Sequence, residues 1–274
     1  MTKKTLALRI AIVLAALIPG APAIAQQDEA NWISNCRSDR GGRWDRRETY
    51  CEVRTATGRV SGEIVSIEGL RNGGVMVTGW ERSDIVVRTR IRAQAQTQVE
   101  AKAIAARVRT VISGSTITVD GPSNDDDNQW SASLVASVPI KSNLRVETRN
   151  GPVSVSQVNG EMNLQTRNGP MALNDLAGNV TARTTNGPLS ISLSGNRWEG
   201  GGLDARTTNG PLSISVPENY SAHLETGTTN GPVSLGFPVT VSGRINRDIS
   251  TDLGSGGATI RATTTNGPLT LRRK

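Results

Sequence analysis

Side chains that could perform catalysis are few in this sequence of 274 residues, and the single histidine limits the choice most. A Ser–His–Asp arrangement would have to use His223, which lies in YSAHLET with no nucleophile motif nearby. That segment reads as a β-strand, so an outward-facing surface histidine is predicted instead. No P-loop, dinucleotide fingerprint or HExxH motif is present. The sequence therefore predicts a protein that is not an enzyme and uses no cofactor.

Acidic residues offer two patterns that resemble calcium sites, and neither is complete. Asp125, Asp126 and Asp127 are consecutive, but the glycine and the alternating ligands of a known calcium loop are absent. The segment GGGLD at Gly200 to Asp204 resembles one unit of a calcium-binding β-roll, which requires an array of such units. A solvated turn and no bound metal are therefore predicted.

The two cysteines, Cys36 and Cys51, are predicted to form a disulfide. An even pair in an exported chain is typical of a disulfide, whereas a metal site needs more ligands than two thiolates. The 14 residues between the cysteines make a loop whose closure is expected to contribute about 3 kcal/mol.

Residues 1–25 are interpreted as a secretory signal peptide. Three cations precede an apolar run from Ile10 to Ile18, and small residues lead to a cleavage site after Ala25. The alternative, a membrane anchor, is disfavoured because the run is short and prolines follow it. The protein is therefore expected to be exported with no integral membrane segment in the mature chain. The periplasm is favoured, and the cell surface or secretion is the alternative.

The net charge is too small to indicate a nucleic-acid partner, and none is expected. The full chain carries +7, and loss of three cations with the signal peptide leaves +4. This small excess favours solubility and only weak attraction to anionic surfaces.

The remaining chain divides into a disulfide leader over residues 26–60 and one domain over residues 61–274. Residues 61–140 form its irregular N-terminal part, with strand-like runs and one amphipathic helix near 97–108. Val99, Ile104, Ala105 and Val108 are assigned to the apolar face of that helix. Residues 141–274 form a regular repeat.

The repeat is marked by six Asn-Gly-Pro tripeptides, which begin at positions 150, 168, 186, 209, 230 and 266. Their spacings are 18, 18, 23, 21 and 36 residues, so the unit is predicted to have 18 residues. The two intermediate spacings indicate insertions, and the last indicates a corner that has lost its motif near Asn246 to Asp248. Apolar residues alternate on both sides of each tripeptide, as in strands with one buried face.

Two architectures fit this pattern. Asn-Gly between alternating runs is a hairpin signal and would give a meander, barrel or propeller. Proline, however, follows glycine every time and lacks the N–H that closes a two-residue hairpin. A corner that does not reverse the chain tolerates proline better. We therefore predict an all-β, single-chain parallel β-solenoid, with the disulfide leader capping its N-terminal end.

Equal positions on successive coils of a solenoid stack about 4.8 Å apart, so asparagine over asparagine would form a ladder of amide hydrogen bonds. The segment LRNGGVMV matches the repeat with glycine in place of proline and supplies a first corner. The predicted ladder comprises Asn72, Asn150, Asn168, Asn186, Asn209, Asn230 and Asn266.

Outward-facing arginines supply a candidate ligand surface for acidic sugars, and the alternative is a solvated face with cross-strand charge pairs. Aromatic residues are scarce, and Trp198 in the insertion is the one candidate aromatic contact within the repeat. The predicted surface comprises Arg149, Arg167, Arg183, Arg206 and Trp198.

The segment NGGVMVTGW, the alanine-rich helix and the TRNGPVSV-type coils resemble a bacterial adhesin-like domain family of unknown function. The resemblance covers about residues 60–272 and implies an exported β-solenoid that presents a binding or scaffold surface, with no catalytic residues. The expected partner is an unknown envelope protein or glycan, and a monomer is expected. An envelope sensor or accessory protein and a polysaccharide-active enzyme are the alternatives.

Overall fold

The computed structural model describes residues 23–38, 47–59, 63–124, 129–237 and 248–274. Most of the predicted signal peptide, residues 1–22, and the three consecutive aspartates lie outside these ranges. The described chain contains 20 strands and two helices. The prediction of a mostly β protein is confirmed.

The N-terminal part contains both helices and seven strands. Their order is α1 Ala23–Ser38, β1 Glu48–Arg59, β2 Ile64–Asn72, β3 Val75–Trp80, β4 Asp84–Ala95, α2 Gln98–Arg107, β5 Arg109–Ser113, β6 Thr116–Asp120 and β7 Gln129–Pro139.

The repeat region contains the other thirteen strands. They are β8 Asn143–Asn150, β9 Val153–Ser156, β10 Asn159–Asn168, β11 Met171–Asn174, β12 Ala177–Asn186, β13 Leu189–Ser192, β14 Gly202–Asn209, β15 Leu212–Val216, β16 Ala222–Asn230, β17 Val233–Leu235, β18 Asp248–Leu253, β19 Thr259–Asn266 and β20 Leu269–Arg273.

The strands form two ten-stranded sheets that face each other. Sheet A has the order β1-β4-β7-β3-β9-β11-β13-β15-β20-β17, and sheet B has the order β18-β16-β19-β14-β12-β10-β8-β2-β6-β5. The strand before each Asn-Gly-Pro lies in sheet B and the strand after it lies in sheet A. The tripeptide is therefore a corner between the sheets, and one passage through both sheets is called a coil below.

Neighbouring coils pair in parallel, as the prolines predict. Leu164 of β10 lies beside Val146 of β8 on one side and beside Ala182 of β12 on the other. Met171 of β11 likewise pairs in parallel with Leu189 of β13. The segments around Asn168 and Asn186 therefore run in the same direction.

Three antiparallel regions modify the prediction of a purely parallel solenoid. Strand β4 pairs antiparallel with β1 and β7, β5 pairs with β6, and β18 pairs with β16. The long strands β1, β4 and β7 extend sheet A at its N-terminal end, where the sequence has no Asn-Gly-Pro corner to turn the chain between sheets.

The final coil interrupts the sequential order. Strands β19 and β20 lie between the coil of β14 and β15 and the coil of β16 and β17. The predicted lost corner near Asn246 to Asp248 lies mostly outside the described residues. Asp248 begins β18, which runs antiparallel along β16. The interpretation of the 36-residue spacing as two stacked coils is therefore wrong.

The core lies between the sheets and consists of apolar columns. Along sheet B, equal positions on neighbouring coils are all at most 3% exposed. This column comprises Leu144, Met162, Val180, Leu203, Ile260 and Leu224. Because each residue buries its side chain against the same position in the next coil, the period of the sequence becomes the period of the stack.

The two helices lie at the N-terminal end, where a single helix was predicted. The unpredicted helix α1 is joined to β1 by the Cys36–Cys51 disulfide, with the Cα atoms 6.3 Å apart. Helix α2 begins with a capping box in which Thr97 and Glu100 exchange hydrogen bonds. Ile104 is buried, but Val99 is 79% exposed, which corrects its assignment to the apolar face. Val99 lies five positions before Ile104, which places it roughly 140° around the helix from Ile104.

Candidate functional site

The seven corner asparagines form a continuous amide ladder on the edge of the stack. Nδ2 of Asn150 donates to Oδ1 of Asn72 over 3.0 Å, and Nδ2 of Asn168 donates to Oδ1 of Asn150 over 2.8 Å. The series continues through positions 186, 209, 266 and 230 in that order. Asn266 precedes Asn230 in the ladder because the last coil of the chain is inserted between the coils of Asn209 and Asn230.

Glycine and threonine complete the polar network of each corner. The N–H of Gly169 donates to the backbone carbonyl of Asn186 in the next coil over 2.9 Å. The hydroxyl of Thr184 donates to the carbonyl of Gly169 over 3.1 Å, although Thr184 is 4% exposed. Each buried threonine is therefore satisfied by the corner of its neighbour, which accounts for the Thr-x-Asn-Gly pattern.

The glycine of each corner is required by the close approach of the next coil. A Cβ atom on Gly187 would lie 2.1 Å from the carbonyl oxygen of Gly169. At the first corner Gly74 replaces proline, because its N–H donates to Oγ of Ser133 over 3.1 Å and a side chain would meet Pro152. These corners hold the coils together through groups that are already hydrogen-bonded, so they carry structure rather than ligand binding.

The four predicted ligand arginines lie on the outward face of sheet B but do not form one strip. Arg183 and Arg206 are neighbours, and they bind Asp204 over 2.8 and 3.0 Å. Partial burial raises the pKa of Asp204, but the hydrogen bonds and charges of the two arginines outweigh it and hold that pKa below the ordinary value. Arg149 and Arg167 lie two positions further along their strands, next to the ladder. Two of the four predicted arginines, Arg183 and Arg206, are therefore engaged in charge pairs with Asp204.

Trp198 is not available as a contact, which corrects its assignment to the ligand surface. It is 6% exposed, and its Nε1 donates to the carbonyl of Gly178 over 3.0 Å. The insertion folds the indole into the core, where its hydrogen-bonding group finds a backbone partner.

An open groove of about 660 Å³ lies along the second set of corners, where the chain returns from sheet A to sheet B. We call it the corner groove. Its apolar lining includes Trp80, Ile140 and Leu176, and the insertion contributes Asn196 and Arg197. Ile140 is 37% exposed and therefore presents apolar surface to the groove. An apolar surface with a few convergent polar groups is typical of a ligand site.

Polar side chains and backbone geometry distinguish the corner groove from ordinary turns. Gln157 and Asp175 line it and adopt left-handed conformations, with φ of 57° and 54°. Such conformations cost free energy for residues other than glycine and cluster at functional sites. Glu81, Asp175 and Glu199 place three carboxylates in the lining, with Arg197 as the cation among the lining side chains.

The sequence profile of the Toastrack DUF4097 family matches residues 59–272, most of the chain. The chain belongs to the Toastrack DUF4097 family. The predicted membership in an adhesin-like family of unknown function is thereby confirmed.

Solved structures similar to this Toastrack domain share little sequence with it. A candidate cell adhesion protein from Clostridium sporogenes is 9% identical, with 82% of this chain and 100% of that chain covered and a TM-score of 0.49. A candidate adhesin from Bacteroides fragilis is 10% identical, with coverages of 81% and 97% and a TM-score of 0.40. A candidate lipid-binding protein from Parabacteroides distasonis is 9% identical, with coverages of 80% and 96% and a TM-score of 0.31. No protein of curated function matches the chain.

The only histidine of this Toastrack chain lies in a polar cluster that the sequence did not indicate. Nδ1 of His223 lies 2.7 Å from Asp252, and its Nε2 lies 3.3 Å from Oγ of Ser250 and 3.6 Å from Glu225. The antiparallel pairing of β16 with β18 brings these residues together. Asp252 is 65% exposed at its side chain, unlike the buried aspartate of a catalytic triad. We interpret the cluster as the attachment of β18.

The corner groove could not be predicted from the sequence because its residues come from five separate segments. Trp80 and Ile140 both precede the repeat region, so neither belongs to the repeating motif. The signal that could have revealed the groove is the second corner of each coil, between Ser156 and Asn159 and between Asn174 and Ala177. Within the described ranges, neither helix is long and apolar enough to span a bilayer.

Proposed function

We propose that this Toastrack protein is an exported, non-enzymatic binding module whose ligand occupies the corner groove. The groove is the observation that carries the proposal, because it combines apolar side chains with amides and charges on a rigid stack. The stack acts as a β-solenoid of 18-residue coils, with the disulfide leader as its N-terminal cap. Ligand contacts are thereby fixed on neighbouring coils at small, constant spacings.

Export is supported by the Cys36–Cys51 disulfide, since such bonds persist in oxidising compartments. The periplasm is the proposed location, in agreement with the signal-like residues 1–25. A monomer that binds an envelope glycan is the simplest form of the module.

The groove suits a glycan through its mixture of surfaces. Trp80 and Leu176 can pack against the apolar face of a sugar ring, while Gln157, Asn159 and Asn196 offer amide donors and acceptors to hydroxyl groups. Arg82 stacks over the Trp80 ring at 4.4 Å and holds the indole in place.

The proposal is tested by glycan-array binding of three proteins. The groove variant carries Ile140→Ser and Arg197→Ser, and the matched surface variant carries Arg149→Ser and Arg167→Ser. We expect the wild type and the surface variant to bind the same glycans and the groove variant to lose at least about tenfold in affinity. Equal binding by all three proteins, with unchanged thermal unfolding, would exclude the groove as the site.

One observation favours an enzymatic alternative. The groove gathers Glu81, Asp175 and Glu199, and glycoside hydrolases use a pair of carboxylates. Release of reducing ends from a bound glycan, abolished by Glu199→Gln or Glu81→Gln, would support a polysaccharide-active enzyme. If no glycan on the array binds, and a pull-down from envelope extracts returns one protein in stoichiometric amount, the role of an accessory protein is supported instead.

A further inference from the structure

The ladder of corner hydrogen bonds ends at Asn72 on one side and at Asn230 and Gly231 on the other. At every other Asn-Gly corner, the glycine N–H donates to an asparagine carbonyl in the next coil. These donors are Gly73, Gly151, Gly169, Gly187, Gly210 and Gly267. Among the described residues, the N–H of Gly231 has no acceptor, because its coil is the last in the ladder.

The side chain of Asn230 is also held on one side alone. Its Nδ2 donates to Oδ1 of Asn266 over 2.9 Å. Each interior asparagine also accepts an amide hydrogen at Oδ1, as Asn168 does from Asn186. Within the described chain, no ladder amide donates to Oδ1 of Asn230. Asn230 can therefore leave its ladder position by breaking fewer hydrogen bonds than an interior asparagine.

We propose that Asn230–Gly231 is a modification site at which the asparagine converts spontaneously to aspartate or isoaspartate. Solvent hydroxide removes the proton of the Gly231 backbone nitrogen, which attacks Cγ of Asn230. Nδ2 takes a proton from water and departs as ammonia, and a five-membered succinimide remains. Water then opens the ring at either carbonyl and gives aspartate or isoaspartate. The reaction needs water and base alone.

The same dipeptide is protected elsewhere in the chain by the stack itself. At an interior corner such as Asn186–Gly187, the attacking nitrogen already donates over 2.9 Å to Asn209, and the amide is bonded on both sides. Closing the succinimide ring there would break contacts with two coils. The remaining Asn-Gly, at Asn159–Gly160, lies within β10 and pairs with Gly178 of β12.

The modification would weaken the attachment of the end coil. A carboxylate at position 230 presents an acceptor to Oδ1 of Asn266, where an amide donor stood. Isoaspartate also lengthens the backbone at a corner where the glycines of neighbouring coils are in close contact. The coil of β16 and β17 would therefore be the first to loosen as the protein ages.

Peptide mapping by mass spectrometry tests this proposal on the purified full chain. The folded protein is held at mildly alkaline pH, and each Asn-Gly is followed for the mass gain that accompanies replacement of NH2 by OH. We expect Asn230 to convert at least about three- to tenfold faster than any other corner asparagine, because every other corner has at least one more hydrogen bond than the Asn230 corner. An interior corner that converts as fast as Asn230 would overturn the proposal.

The unfolded chain supplies the control for local sequence. In denaturant the seven corners are expected to convert at similar rates, and an unchanged preference for Asn230 would show that the fold is not the cause. Residues 207–244 form one tryptic peptide that contains both Asn209 and Asn230. An Asn230→Gln variant should lose the mass gain in that peptide, and its persistence would contradict the assignment.

Discussion

Nδ2 of Asn186 donates a hydrogen bond to Oδ1 of Asn168 over 2.8 Å, although the two residues lie 18 positions apart in the chain. The separation is one full coil, so the bond joins equivalent corners. Because each interior asparagine both donates and accepts, the ladder connects every interior coil to both of its neighbours. The stability of the stack should therefore depend on single corner side chains, although these are exposed to solvent.

Replacement of Asn186 by alanine removes two ladder hydrogen bonds, to Asn168 and from Asn209. We expect the free energy of unfolding to fall by about 1–3 kcal/mol. Urea denaturation followed by circular dichroism measures the change. Thr185→Ala, an exposed neighbour, is the matched control and should change stability by less than about 0.5 kcal/mol. Equal effects of the two substitutions would contradict a contribution from the ladder.

Replacement of Gly187 by alanine places a methyl group 2.1 Å from the carbonyl oxygen of Gly169. Since the neighbouring corner is backbone, relief requires the two coils to separate. We expect a loss of roughly 1–3 kcal/mol or more, measured by thermal or denaturant unfolding. Gly201→Ala is the control, because its Cβ would meet Asn179 at an ordinary 3.5 Å. A tolerated Gly187→Ala would show that the corner can relax.

Asp204 should make the stability of the repeat sensitive to acid. Its folded pKa lies below the ordinary value of 3.8 because Arg183 and Arg206 bind the carboxylate. The contribution is therefore present above pH 3.8 and is lost as the pH falls through the lower folded pKa. Unfolding of the wild type and Asp204→Asn should differ most at neutral pH and converge in acid. A constant difference across this range would exclude the ion pairs as the cause.

Removal of the disulfide should loosen the N-terminal end and leave the repeat intact. A Cys36→Ser/Cys51→Ser variant loses the link between α1 and β1, which is expected to cost about 3 kcal/mol. Hydrogen exchange should show faster exchange in α1 and β1 and unchanged protection in β10 and β12. Faster exchange throughout the chain would mean that the disulfide supports the whole stack.

Ser250 should not react as a hydrolase nucleophile, although His223 and Asp252 lie beside it. The exposed aspartate leaves the imidazole in contact with water, and Glu225 competes for the same ring nitrogen. We expect no labelling by a fluorophosphonate probe under conditions that label a known serine esterase. Labelling that disappears in Ser250→Ala and His223→Ala would establish a catalytic site.

The repeat could be predicted because its strands and corners are determined by short, local sequence patterns. Alternating residues such as Leu144 and Val146 define the buried face, and Pro152 excludes a two-residue hairpin turn. These features act within one coil, so parallel pairing follows from the motif. The helix α1 gave no such signal, because its sequence is polar and lacks a clear apolar face.

The position of the final coil could not be predicted, since insertion between two coils depends on contacts absent from local sequence. Leu269 pairs with Leu212 on one side and with Val233 on the other. A leucine at this position would be equally compatible with a coil at the end of the stack, so the residue type does not indicate the insertion. The corner groove was hidden for a similar reason. Its lining is assembled from turns whose residues, such as Leu176 and Asn196, have no common motif.

The place of β19 between β14 and β16 has a kinetic consequence. If the strands paired in chain order, β16 would pair directly with β14. That pairing would block the position between them that β19 occupies in the folded protein. The coil of β16 and β17 must therefore remain displaced, or detach again, until residues 259–273 are available. Non-local pairings of this kind slow folding. The rate-limiting step of folding should thus be the insertion of the coil of β19 and β20 between its two neighbours. Substitutions that strengthen a non-native pairing of β14 with β16 should therefore lower the folding rate.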